Sequence, residues 1–198
     1  MKRSLHAMIF LMAPVLAACA QPPLPQDHFY RLTVGAPGNP LAEPRFKGTL
    51  EVGRFAADGL TAGRPLVHSL SERLYELQEY HYHFWTQPPT VMLRDELVSY
   101  LRAAKVSGAV VTPEMRVSVD YVLTGKIMRL ERIVGKPSKA VIELELGLRK
   151  ATGGKLIFLD TYRIEKQSDG SGVGSAVNSL NTALTAIYAK FVDDLSKL

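Results

Sequence analysis

Residues 140–165, AVIELELGLRKATGGKLIFLDTYRIE, form the stretch of sequence that decides the fold class. Leucine alternates with glutamate or glycine over residues 143–148, which is the period of a strand with one buried face. Thr152–Gly154 then predicts a hairpin turn, and Lys155–Glu165 returns as the next strand. The stretch therefore predicts an antiparallel hairpin of two long strands.

A third strand candidate precedes this hairpin. Over Val117–Ile133, apolar residues recur at alternate positions around Tyr121, Leu123 and, after Gly125, Ile127. Because strands that follow one another closely in sequence usually pair with each other, residues 117–165 predict a three-stranded antiparallel meander.

The N-terminal half predicts shorter strands and one helix. Pro88 and Pro89 open the helix, since proline lacks an N–H group and the first turn of a helix leaves its N–H groups unpaired in any case. An apolar stripe of helical period runs on to about Lys105. The strand candidates are His28–Val34, Gly48–Phe55, Pro65–Ser69 and Leu74–Trp85.

A second amphipathic helix, with its apolar stripe from Ala176 to Leu195, follows the meander. The order of elements is therefore strands, helix, meander, helix. It predicts an α+β fold in which a mostly antiparallel sheet carries two main helices on one face. We expect residues 28–198 to form a single domain, since no internal repeat interrupts them.

The segment before this domain predicts export and anchoring. Lys2 and Arg3 precede an apolar run of about a dozen residues, which is too short to span a bilayer and is typical of a secretory signal. The run ends in Leu16-Ala17-Ala18-Cys19, which resembles the bacterial lipobox. We expect a cleaved signal peptide over residues 1–18, then a lipidated Cys19 and a Pro-rich tether over residues 19–27. The alternative is an ordinary signal peptide whose cysteine is fortuitous.

The residues around the anchor, together with the net charge, indicate which membrane the protein reaches and which class of partner it lacks. Ala20, rather than an aspartate, follows Cys19, and by resemblance to enterobacterial sorting this favours the periplasmic face of the outer membrane over the inner membrane. Removing 18 of the 198 residues leaves 180 and lowers the net charge from +5 to +3, because Lys2 and Arg3 are lost. The remaining basic residues form no block, so no nucleic-acid partner is predicted.

Residues 80–89, YHYHFWTQPP, lie at the predicted junction between a strand and the first helix. In a regular strand His81 and His83 share one face and Tyr80 lies on the other, and two histidines so placed are able to bind zinc or copper. Together with His68 they define an alternative function, a periplasmic metal- or small-ligand-binding lipoprotein. The other interpretation is an aromatic corner that packs the strand against the helix, and we expect no metal because the ligand set is incomplete.

The sequence motifs of nucleotide-binding proteins and of hydrolases are incomplete or absent as well. Gly170–Ser175 imitates a phosphate-binding loop, but it lacks the Gly-Lys-Ser/Thr of a P-loop and no second β–α unit follows it. No Gly-x-Ser-x-Gly nucleophile elbow occurs in the chain. The sequence therefore predicts neither an enzyme nor a bound cofactor.

A wider pattern of residues surrounds the strand–helix junction. Its members are Arg64, Pro65, Leu66, Val67, Tyr75, Tyr80, Tyr82, Trp85, Pro88 and Pro89. Their order and spacing resemble the ABC-type transport auxiliary lipoproteins, the paraquat-inducible-protein-C-like partners of MCE lipid-transport systems. Further matches at Phe29–Leu32 and Asp120–Gly125, with a C-terminal amphipathic helix, extend the resemblance over about residues 28–196. His68, where tyrosine is usual, and Phe84, where a basic or polar residue is frequent, depart from the pattern.

The resemblance implies an auxiliary role rather than catalysis. The partners that it implies are an inner-membrane ABC permease with its ATPase, and an MCE-domain protein that shields phospholipid or another hydrophobic substrate in transit. This chain is then expected to be a membrane-anchored, non-catalytic component facing the periplasm. The residues of the family pattern become candidates for structural support or partner contact, and association into homo-oligomers is compatible with the role.

Overall fold

Nine strands and two long helices make up residues 24–198, the part of the chain that a computed structural model describes. The predicted signal peptide and Cys19 lie outside the described residues. The helices are α1 (Pro89–Ala103) and α2 (Val173–Ser196). The strands are β1 (His28–Tyr30), β2 (Phe46–Val52), β3 (Ala56–Ala57), β4 (Pro65–Leu70), β5 (Arg73–Trp85), β6 (Ser107–Val111), β7 (Tyr121–Val134), β8 (Lys139–Lys150) and β9 (Leu156–Gln167).

Strand β7 organises the sheet. One of its edges pairs antiparallel with β8, and β8 pairs antiparallel with β9, so the predicted meander is confirmed. Along the other edge of β7 lie β2, β3 and β4 in succession, all parallel to it. Strand β5 pairs antiparallel with β4, while β1 joins β5 and β6 joins β2 in parallel.

The sheet is therefore mixed, and the prediction of a mostly antiparallel sheet was wrong. Five of the eight strand pairings are parallel and three are antiparallel. The reason is that residues 46–70 run along β7 in its own direction, and β5, α1 and β6 form the connection that brings the chain back. A parallel pair needs such a long crossover, whereas the prediction assumed that neighbours in sequence pair as hairpins.

Both helices contribute to one hydrophobic core. Ile142, Leu144 and Leu146 of β8 are fully buried and alternate with the polar face that the sequence predicts. The buried hydroxyl of Tyr188 on α2 donates a hydrogen bond of 2.7 Å to the carbonyl oxygen of Leu93 on α1, which ties the helices together. The α+β class with two helices is thus confirmed. Within residues 24–198, no helix has both the length and the apolar character needed to cross a bilayer.

Two glycines make room for side chains of neighbouring segments. Gly48 has a φ of +109°, and a Cβ there would collide with the carboxylate of Asp120, which accepts a hydrogen bond of 2.8 Å from the N–H of Thr49. The ring of Phe55 lies over Gly125, where a Cβ would come within 2.5 Å of the ring carbon Cζ. The aspartate and the glycine of Asp120–Gly125 therefore allow residues 48–55 to pack closely against β7.

Candidate functional site

The corner between β5 and α1 is built around Trp85, which is 2% exposed. The backbone N–H of Trp85 donates a hydrogen bond of 2.7 Å to the carbonyl oxygen of Arg64, and the carbonyl oxygen of Trp85 accepts one of 3.1 Å from the Arg64 guanidinium. The N–H of Thr86 donates to the carbonyl of Tyr30 at 2.9 Å. These bonds hold the end of β5 between β1 and the segment that leads into β4.

The two prolines of the pattern have different surroundings at the start of α1. The carbonyl of Pro88 accepts hydrogen bonds from the N–H groups of Val91 (3.0 Å) and Met92 (3.2 Å), while the Pro88 ring is exposed. Pro89 is buried and is the first residue of the helix. The fixed φ of proline suits this position, so the sequence itself determines where α1 begins.

A cluster of histidine and tyrosine rings lies beside this corner, and we call it the ring cluster. The hydroxyl of Tyr30 lies 2.8 Å from Nδ1 of His83, and the ring of His83 stacks on His28 at 5.1 Å between centroids. Tyr80 meets His83 edge to face at 5.2 Å and stacks on His68 at 4.2 Å. Strands β1, β4 and β5 thus bring together five side chains from three separate parts of the sequence.

Arg132 of β7, the first strand of the meander, contacts the ring cluster through Tyr80. Its guanidinium donates hydrogen bonds to the Tyr80 hydroxyl at 2.8 Å and to the Ser138 hydroxyl at 3.1 Å, and also to the carbonyl of Ser171. Sequence reasoning missed Arg132, because an arginine that alternates with apolar residues on a strand looks like a solvated surface charge.

Burial dominates the electrostatics of the ring cluster. It lowers the pKa of His83, with smaller contributions from His28 and Arg132, and it lowers the pKa of His68, with Arg132 acting in the same direction. Burial raises the pKa of Tyr80, although Arg132 opposes this shift. These shifts favour the neutral form of His68 and His83.

The three histidines of the alternative function do not form a metal site. His68 and His83 both contact Tyr80, whereas the exposed His81 has its nearest aromatic contact with its neighbour Tyr82, at 6.5 Å between centroids. Among residues 24–198, no group of three or more His, Cys, Asp or Glu side chains is arranged to hold a metal ion. The structure therefore does not bring the three histidines of the alternative together as one ligand set.

The face assignment of Tyr80 was wrong too, because β5 is not a regular strand. Between the pairs Val67↔Glu79 and Pro65↔Phe84, β4 advances by two residues while β5 advances by five. Extra residues of this kind disturb the alternation of side chains between the two faces. Tyr80 and His83, predicted to lie on opposite faces, therefore meet in the ring cluster.

A second irregularity in β5 exposes apolar side chains. Between Leu70↔Arg73 and His68↔Gln78, β5 again advances by five residues against two, and we call residues 74–77 the β5 bulge. Its members Leu74, Tyr75 and Leu77 are 45%, 103% and 41% exposed. An ion pair of 2.9 Å between Arg73 and Glu76 accompanies them.

The edge of β5 is also open along most of its length. Among the described strands, β5 pairs with β4 and, only over His83–Trp85, with β1. Its remaining backbone N–H and C=O groups on that side have no strand partner within residues 24–198. Exposed strand edges are templates for the addition of another strand.

The residues of the family pattern thus divide into two sets. Leu66, Val67, Trp85 and Pro89 are buried, and Tyr80 is half-buried in the ring cluster. The exposed set contains Arg64, Tyr75, Tyr82 and Pro88, with Pro65 at an intermediate exposure. The exposed set is therefore the part of the pattern that is available to a partner.

Comparison with known proteins identifies a family. A family model described as ABC-type transport auxiliary lipoprotein component matches residues 30–191. This match contains α1, most of α2 and every strand but the first residues of β1, as well as the β5 bulge. Among curated proteins, none is similar enough in sequence to count as a match.

Solved structures share the fold at low sequence identity. A Xanthomonas campestris protein of family-model DUF330 has a TM-score of 0.72 and 24% identity, over 83% of this chain and 92% of its own. An uncharacterized protein has a TM-score of 0.64 and 19% identity, over 87% and 97% of the two chains. A PelC dodecamer from Paraburkholderia phytofirmans has a TM-score of 0.52 and 16% identity, over 80% and 94%. At these identities the similarity shows the fold alone.

Proposed function

The chain belongs to the ABC-type transport auxiliary lipoprotein component family, and from this membership we propose that it is a membrane-anchored, non-catalytic component of an MCE-type ABC transport system. Its partners are the MCE-domain protein and the permease with its ATPase. The cargo is phospholipid or another hydrophobic substrate that crosses the cell envelope.

The observation that carries the proposal is the β5 bulge on an open strand edge. Leu74, Tyr75 and Leu77 are exposed together, and none of them belongs to the hydrophobic core. Neighbouring exposed apolar side chains favour contact with another protein, and an open edge supplies backbone hydrogen bonds in addition. We assign to this surface the contact with the MCE-domain protein.

The anchor is the second part of the proposal. Acylation of Cys19 supplies two or three chains, which hold a protein at a membrane where a single chain does not. Ala20 favours the outer membrane, so the domain faces the periplasm and meets a conduit that arrives from the inner membrane. The short tether keeps the domain close to that membrane.

Self-association is the third part. Among residues 24–198, open sheet edges lie on β5, on β6, which pairs with β2 only, and on β9, which pairs with β8 only. Leu156 and Leu159 of β9 are 58% and 55% exposed. Contact between two different surfaces of identical copies generates a ring when the rotation closes. The PelC protein that shares this fold is a dodecamer, which supports self-association here.

The partner contact is tested by photo-crosslinking in cells. A benzophenone amino acid replaces Tyr75 in one variant and Asn39, which is exposed in the loop after β1, in the control. We expect the probe at position 75 to crosslink to an MCE-domain protein and the probe at position 39 to give no such product. Equal products at both positions, or none at position 75, would remove the β5 bulge from the proposal.

A further inference from the structure

The tether joins the domain at β1 and therefore keeps the surface around β1 close to the membrane. This inference rests on the proposed anchor at Cys19, which lies nine residues before the first residue of β1, His28. An extended chain spans at most about 3.6 Å per residue, so this end of the domain lies within about 32 Å of the acylated cysteine. A Pro-rich segment rises by about 3.1 Å per residue, which shortens the reach to about 28 Å.

Aromatic side chains outside the core surround this attachment point. Phe29 of β1 is 56% exposed, and its ring lies 5.8 Å from that of Phe84, its partner in the β1–β5 register. Tyr82 is 45% exposed and lies two residues before Phe84 on β5. We call Phe29, Tyr82 and Phe84, together with Arg64, the tether patch; its three aromatic residues are absent from the hydrophobic core.

The charges of the tether patch favour an anionic surface. The guanidinium carbon of Arg64 lies 5.8 Å from the centroid of the Phe29 ring, and Arg31 is exposed just after β1. Within 24–31, 62–66 and 80–87, the segments that form and flank the patch, the one acidic residue is Asp27, and the carboxylate of Glu79 lies beside Gly63. Basic residues near a membrane are attracted to anionic phospholipids, and tyrosine and other aromatic side chains are favoured at headgroup level.

We propose that the tether patch rests on the phospholipid bilayer that holds the anchor. Phe29 and Tyr82 enter the headgroup region, and Arg64 and Arg31 face lipid phosphates. The domain is then oriented on the membrane rather than tumbling on its tether. The β5 bulge lies at the other end of the same strand, away from the residues that contact lipid, and it remains open to a protein partner.

Two exposed tyrosines of β5 provide a matched test. Tyr82→Cys lies in the tether patch and Tyr75→Cys lies in the β5 bulge, and each introduces the only free thiol, because the sulfur of Cys19 is acylated in the mature chain. Each full-length lipidated variant is labelled with an environment-sensitive nitrobenzoxadiazole dye. It is then reconstituted into vesicles of phosphatidylethanolamine and phosphatidylglycerol, with and without a doxyl-labelled quencher lipid. The emission of the buried Trp85 checks that both variants are folded.

We expect the dye at position 82 to shift to shorter wavelengths and to lose most of its emission with the quencher lipid, while the dye at position 75 changes little. Equal quenching at both positions, or no quenching at position 82 in a chain that floats with the vesicles, would overturn the oriented contact and leave the anchor intact. A chain that fails to float with the vesicles would overturn the anchor, and this inference with it.

Discussion

Replacing Trp85 tests whether the β5–α1 corner supports the whole domain. A buried tryptophan removes about 150–250 Å² from water, which at about 25 cal/mol per Å² corresponds to about 4–6 kcal/mol. This is an upper bound, because the unfolded chain already buries part of that surface. Measured tryptophan-to-alanine changes in cores cost about 3–5 kcal/mol. Since Trp85 is 2% exposed, we expect Trp85→Ala to lower the free energy of unfolding by about 3–5 kcal/mol.

The assay is urea denaturation followed by far-ultraviolet circular dichroism, because the variant loses the only tryptophan of the chain. With a denaturant slope of about 1–3 kcal/mol per molar urea, the midpoint should fall by about 1–5 M. Tyr75→Ala is the matched control, since that side chain is 103% exposed and its removal should leave the midpoint unchanged. A loss below about 1 kcal/mol for Trp85→Ala, or an equal loss for the control, would refute a structural role for the corner.

Three further predictions concern the pH response, the packing of a glycine and the anchor. Burial lowers the pKa of His83 below its ordinary 6.5, so the unfolded chain binds a proton before the folded chain does as the pH falls. The free energy of unfolding should therefore decline below about pH 6.5. His83→Asn should make this decline with pH less steep in urea titrations at several pH values. Gly125→Ala should cost about 1–3 kcal/mol in the same titrations, because the new methyl group meets the ring of Phe55, whereas Gly38→Ala, with open space around it, should be neutral. Cys19→Ser should leave the chain unprocessed or release it from membranes in cell fractionation, and correct processing with retention at the outer membrane would contradict the lipid anchor.

The elements that follow local rules could be predicted from the sequence. Alternation and the Thr152–Gly154 turn predict β8 and β9, because the hairpin places the two strands side by side without information from elsewhere. Pro88 and Pro89 predict the start of α1 through the fixed φ of proline.

Long-range pairings could not be predicted in the same way. A strand pattern shows which face is buried but not which strand lies beside it or in which direction. The parallel pairing of β4 with β7 joins residues more than sixty positions apart, such as Val67 and Glu131. The five residues of β6, Ser107–Val111, follow α1 after a short connection and contain Gly108, and the sequence pattern predicts no strand there.

The ring cluster and the β5 bulge could not be predicted either, because both depend on contacts between distant parts of the sequence. Arg132 reaches Tyr80 across 52 positions of sequence, and no local pattern marks that contact. The bulge arises because β5 has thirteen residues and its partner β4 has six, so the excess must leave the regular ladder. Which residues leave it depends on the pairing, and the pattern of β5 alone predicts a regular strand instead.

Affinity purification of the tagged, lipidated chain after crosslinking in cells, with mass spectrometry of proteins and lipids in the eluate, tests whether the protein works in an MCE-type transport system. A variant carrying Tyr75→Asp and Leu77→Asp, two exposed positions of the β5 bulge, serves as the control. We expect the unaltered chain to recover an MCE-domain protein or its ABC permease together with phospholipid, and the variant to lose them while remaining membrane-bound. Recovery of the chain without these partners would contradict the proposed role. Equal recovery of the partners with the unaltered chain and with the variant would contradict the proposed surface.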